Sequence, residues 1–124
     1  MKRVTGIGGI FFKCKDPAKM NAWYKKHLGF DTTEYGTSFL WQAPVGEKAM
    51  GMTHWCPFNE ATTYFEPSAK EFMINYCVEN LESLVVLLKE EGVVICDELE
   101  TSEFGKFIHI LDIEGNKLEL WEPV

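Results

Sequence analysis

Over residues 8–16 apolar and polar positions alternate in the two-residue rhythm of a strand, and beyond Pro17 the residues Ala18, Met20, Trp23, Tyr24 and Leu28 recur at helical spacing. Proline suits a first helical turn and Gly29 a helix exit, so the spacing predicts a helix over residues 17–28. The same grammar returns further along the chain. Residues 72–80 read as a second strand, Asn80 is a good N-cap, and Leu84, Val85, Leu87 and Leu88 form the buried stripe of a helix that Gly92 ends. Asp16 and Asn80 hold equivalent entry positions 64 residues apart, so the chain reads as an internal repeat.

Shorter extended pieces follow each helix, over residues 31–35, 37–42 and 48–55 in the first half and 93–100, 106–111 and 117–121 in the second. Each half therefore reads β-α-β-β-β. Trp55-Cys56-Pro57 and Trp121-Glu122-Pro123 share a W-x-P mark that aligns the two final strands. The expected organisation is one domain over residues 1–124, with modules at 1–57 and 71–124 and a link at 58–70 that carries Pro67-Ser68.

Length and composition narrow the class. A chain of 124 residues with 46% hydrophobic and 25% charged positions supports one sizeable core and disfavours disorder. Nine Phe, four Trp and four Tyr exceed what a minimal core needs, and the surplus can line a pocket for an apolar ligand. A net charge of -7 repels phosphate backbones and anionic lipid, so nucleic acid and membrane are both poor partners. The N-terminal residues lead straight into a strand-like segment with no signal-type stretch, and the expected location is cytoplasmic. Cys14, Cys56, Cys77 and Cys96 show no C-x-x-C spacing and read as buried free thiols.

The duplicated module, the segment His27-Leu28-Gly29-Phe30, the run from Val78 to Glu82 and the closing run from Asp112 to Trp121 together resemble the vicinal oxygen chelate superfamily. That superfamily includes glyoxalase I, bleomycin-resistance proteins and extradiol dioxygenases. The resemblance implies an α+β fold in which each βαβββ module curls its mixed sheet into a cup-shaped half-barrel with the helices on the outer face. It also implies a homodimer, and a divalent metal held by a His, Gln or Glu early in the first strand of each module and a carboxylate in the last.

On this chain the first-strand positions fall on Gly9 and Met73, which carry no nitrogen or oxygen ligand, and the last-strand positions on Thr53, or Gly51 in a shifted alignment, and Glu119. One of the four implied ligands survives, so the expected cofactor is none, with a divalent metal as the departure from that expectation. Glyoxalase I itself needs cations for its glutathione adduct, and Arg3 is the only arginine.

The histidines offer other chemistry. Residues 107–111 and 117–121 read as a hairpin whose register sets His109 opposite Glu119 and Phe107 opposite Trp121, with Ile108, Ile110, Leu118 and Leu120 on the other face. His109 and Glu119 are the candidate catalytic pair, acting as acid and base in an apolar cup. A hydrogen-bonded structural pair is the alternative. His54 neighbours Thr53 and is expected to point away from the cup, His27 to sit at a helix end, and Lys25-Lys26 to face solvent.

Strand parity places Ile10, Phe12, Cys14, Ile74, Tyr76 and Val78 under the helices, and Gly9, Phe11, Lys13, Met73, Asn75 and Cys77 in the cup. Phe11, Thr53, Trp55, Met73, Asn75, Phe107 and Trp121 are the candidate ligand-binding residues, with Met and Phe as a second core the competing reading. Three functions remain open: a metal-independent protein binding a small apolar or aromatic molecule, a metal-free lyase or isomerase acting on a carbonyl compound through His109 and Glu119, and a divalent-metal glyoxalase-like lyase or dioxygenase.

Overall fold

The computed structural model describes residues 2–48 and 51–124. Among these, two helices and seven strands follow in the order β1 (Val4–Cys14), α1 (Pro17–Leu28), β2 (Thr37–Leu40), β3 (Met52–Asn59), β4 (Phe72–Val78), α2 (Leu81–Glu90), β5 (Glu100–Ser102), β6 (Gly105–Leu111) and β7 (Lys117–Pro123). The fold is α+β.

Both helices start where the polar residue before them can cap. Asp16 accepts a hydrogen bond from the Lys19 backbone N–H and Asn80 one from that of Ser83, each at 3.1 Å. Each cap contributes about 1 kcal/mol by satisfying a donor that the helix itself cannot. Gly29 ends α1 with φ of 71°, a left-handed conformation in which a side chain would be strained.

The strands form one open sheet in the order β2-β3-β1-β4-β7-β6-β5. β1 pairs with β3 and β4 with β7 in parallel, whereas β1 and β4 join the two halves antiparallel, with Ile10 opposite Ile74 and Phe11 opposite Met73. The repeat thus shares one mixed sheet. α1 packs over β3 and α2 over β7, both on the outer face.

The main core lies between α2 and the sheet, where Leu84, Val85 and Leu88 of the expected stripe meet Ile108, Ile110 and Leu120; Leu81 joins them, and Leu87 is only half-buried. Burying each such aliphatic side chain contributes about 2 kcal/mol. On the inner face, Phe11 and Met73 are covered by Phe65, which is wholly buried although it belongs to the connection between modules.

Several expectations are corrected. Residues 31–35 form a turn held by the Thr33–Gly36 bridge rather than a strand, and the 93–100 piece reduces to a bridge of Ile95 to Ile110 followed by the short β5. Such short edge pieces lack enough alternating positions to hold a ladder. β3 runs on to Asn59, beyond the expected module end at residue 57. Of the 48–55 stretch, residues 49 and 50 lie outside the described residues, as does residue 1 at the N-terminus. The four cysteines are free, but Cys96 is exposed and Cys14 and Cys56 are half-buried; Cys77 alone has the expected burial. No helix among the described residues is long and apolar enough to cross a membrane.

Candidate functional site

The β6–β7 ladder carries the site. Its register sets Leu111 beside Lys117, and counting back along both strands brings His109 opposite Glu119 and Phe107 opposite Trp121. His109 is 7% and Glu119 4% exposed, so neither charge can be left without partners.

Those partners form one network. His109 Nε2 donates to Glu119 Oε2 at 2.8 Å and Nδ1 to Asp97 Oδ2 at 2.6 Å, while the His109 backbone N–H donates to Asp97 Oδ1 at 2.8 Å. Tyr64 Oη donates to Glu119 Oε2 and Asn75 Nδ2 to Glu119 Oε1, both at 2.6 Å. With a carboxylate on each ring nitrogen, both nitrogens serve as donors only when the imidazole is protonated.

The protonation states follow. Burial opposes charge on His109, but hydrogen bonds from its ring to Glu119 and Asp97 and the nearby negative charge outweigh it, raising the pKa above the ordinary 6.5. Burial likewise opposes charge on Glu119, yet donors from His109, Tyr64 and Asn75 hold its pKa below the ordinary 4.5. Burial and then the Glu119 charge push the Tyr64 phenol well above its ordinary value of 10, so it stays a donor.

A cavity of about 910 Å³ opens over this network, within the size range of small-molecule sites. Glu119, Asn75 and Gly8 lie at its floor, and Phe11, Phe107 and Trp121 supply aromatic surface. Phe107 and Trp121 stack with their rings 6° from parallel and centroids 5.9 Å apart. Tyr35, Ser38, Met52 and His54 line it from the first module, and Glu103 and Phe104 from the β5–β6 turn. The Trp121 indole is fixed by donating to the Phe104 carbonyl at 2.8 Å.

Of the candidate residues, Phe11, Asn75, Phe107, Glu119 and Trp121 line this cavity. His109 lies just beneath it, bonded to Glu119. Met73 faces inward but is 1% exposed in the cluster with Phe11 and Phe65, so it is core.

Thr53 and Trp55 are corrected. Trp55 packs against Phe12, Tyr24 and Phe30 beneath α1, and Thr53 donates to the Ile7 carbonyl and accepts from Trp41 Nε1. His54 takes their place in the cup, 6.4 Å from the Phe11 ring. The register explains the reversal: Ile10 pairs with Trp55 and its repeat equivalent Ile74 with Leu118, so the W-x-P alignment of Trp55 with Trp121 is three residues out of step, an odd slip that exchanges the faces.

These positions do not assemble a metal site. Gly9 has no ligand, His54 is committed through Nδ1 to the Ser38 hydroxyl and through Nε2 to the Tyr35 carbonyl, and Asn75 turns its amide nitrogen, not its oxygen, to Glu119. Glu119 already accepts from three donors. Among the described residues no group of three or more His, Cys, Asp or Glu has metal-holding geometry.

Tyr64 and Asp97 were not among the sequence candidates. Both lie in irregular segments, where no periodicity assigns a side chain to a face.

No protein-family profile matches the sequence, and no curated protein matches it. Solved structures do. A methylmalonyl-CoA epimerase from Mycobacterium tuberculosis superposes at TM-score 0.65 and 18% identity, covering 100% of this chain and 91% of the other. A glyoxalase/bleomycin resistance protein/dioxygenase superfamily member from Vibrio splendidus 12B01 does so at TM-score 0.59 and 14% identity, covering 94% and 97%. The chain has the vicinal oxygen chelate fold. A Streptomyces coelicolor methylmalonyl-CoA epimerase bound to 2-nitronate-propionyl-CoA shares this fold at TM-score 0.68 and 16% identity, covering 98% and 99%. At such identities the vicinal oxygen chelate fold is what is shared, and activity has to be argued from the site itself.

Proposed function

We propose that the chain binds a small apolar or aromatic organic molecule in its cup, with no metal ion taking part. The observation that carries this reading is the cavity of about 910 Å³ walled by Phe11, Phe107 and Trp121 over a carboxylate whose oxygens are already held by protein donors. Such a floor is held in place and, among the described residues, offers a metal ion no cluster of ligands, while the walls offer flat surface for dispersion and stacking. Nuclear magnetic resonance with a library of aromatic fragments tests the reading. Binders should shift the Trp121 indole N–H resonance and spare Trp55, which lies beneath α1; a library whose binders all map outside the cup overturns it.

A second reading rests on one feature. Asp97, His109 and Glu119 form a continuous hydrogen-bonded chain from a half-exposed carboxylate to the cavity floor. A metal-free lyase or isomerase acting on a carbonyl compound would move its proton along this chain, with Glu119 as the group that meets the substrate. It is the weaker reading, because the depressed pKa of Glu119 makes it a poor base and both His109 nitrogens are engaged. Deuterium exchange from solvent into a bound carbonyl compound, lost in Glu119→Gln, would favour it.

A further inference from the structure

The polar groups around the cup are unevenly spent. Most of its N–H and O–H donors are committed to protein acceptors: Trp121 Nε1 to the Phe104 carbonyl, His54 Nε2 to the Tyr35 carbonyl, the Ser38 hydroxyl to His54, and Asn75 Nδ2 to Glu119, whereas the hydroxyl of the exposed Tyr35 has no acceptor among the described residues. The groups left over are mostly acceptors. Asn75 is 2% exposed, and its Oδ1, packed against Gly8 and shielded from the cavity, has no hydrogen-bond partner among the described residues. Among the described residues Glu119 Oε1 accepts one hydrogen bond, which leaves it room for another donor.

Charge is uneven in the same sense. Glu103 stands at the rim and Glu119 at the floor, and among the described residues no lysine or arginine lines the cavity. A protonated His109 stands between two carboxylates, the half-exposed Asp97 and the buried Glu119, so the network adds no net positive charge beneath the cup. Aromatic faces carry negative quadrupole density and attract cations, most strongly where water is excluded.

Resting on the reading of the cup as a small-molecule site, we propose that its ligand is a flat organic cation: an aromatic ring system bearing a protonated nitrogen that donates toward Glu119 and Glu103 while its rings lie against Phe107 and Trp121. Carboxylates and phosphates are discriminated against, since no cation lines the cavity to receive them and two anions would face them. This separates the chain from the Streptomyces coelicolor epimerase bound to 2-nitronate-propionyl-CoA, whose ligand carries phosphates.

The test is calorimetric titration of the whole protein at neutral pH with three probes of one shape: protonated 9-aminoacridine, neutral acridine and the anion acridine-9-carboxylate. The cation should bind about tenfold tighter than acridine, the scale of a partly desolvated cation over aromatic faces, and the carboxylate weakest of all. Added salt and Glu103→Gln should each narrow the gap between cation and neutral probe. Acridine-9-carboxylate binding as tightly as the cation overturns the proposal. Acridine binding in the cup with no advantage to the cation overturns it too, while leaving the cup as a binding site. Failure of all three probes, with the Trp121 indole resonance unmoved, overturns both this proposal and the reading beneath it.

Discussion

His109 and Glu119 face each other across β6 and β7, joined at 2.8 Å, and each holds the other in its charged form. The shifts at the two ends are one interaction seen twice: the imidazole pKa rises and the carboxylate pKa falls. Because Asp97 orients the ring from the other side, the pair is rigid before any ligand arrives.

Replacing Glu119 with Gln removes one of the two negative charges beside the ring, so the His109 pKa should fall. Titration of the His109 ring resonances in wild type and Glu119→Gln checks this; an unchanged pKa would contradict the network.

The pH dependence of stability carries a sign at each end. His109 has a raised folded pKa, so its contribution is full below 6.5 and is lost as pH rises through that raised value. Glu119 has a depressed one, so its contribution is full above 4.5 and is lost as pH falls through the lowered value. The difference in urea unfolding free energy between wild type and Glu119→Gln should therefore peak between these two pH values and shrink on both sides.

Much of this arrangement was legible in the sequence, and the reason is local. Asp16 and Asn80 act on residues three positions ahead, and a short hairpin connection fixes the β6–β7 register, so His109, Glu119, Phe107 and Trp121 could be placed by counting. The β1–β3 register could not. Parallel strands are joined by a long crossover that fixes no offset, and an odd slip exchanges the faces of Trp55 and His54. Tyr64 and Phe65 reach the inner face from an irregular connection whose composition reads only as a link.

That connection is structural. Phe65→Ala empties a fully buried site against Phe11 and Met73 and should cost about 3–4 kcal/mol in urea unfolding. A loss below 1 kcal/mol would mean that the segment is not seated as described.

The uncovered middle of the outer face supports the proposed homodimer. Val4, Ile7 and Ile10 of β1 are each between 42% and 44% exposed, although β1 lies near the centre of the sheet. Sedimentation at micromolar concentration should give twice the 14.2 kDa chain mass, and Ile10→Glu, which sets a charge on this apolar strip, should give the single chain. A wild-type monomer would remove this proposal.

Metal dependence of binding tests the central claim most directly. Protein stripped with a chelator is titrated with acridine, then titrated again after addition of magnesium, manganese, nickel or zinc at one equivalent. The predicted result is the same affinity throughout, with the Trp121 indole resonance shifted in the stripped protein. Binding that appears only with a stoichiometric divalent ion, and disappears in Glu119→Gln, would contradict it.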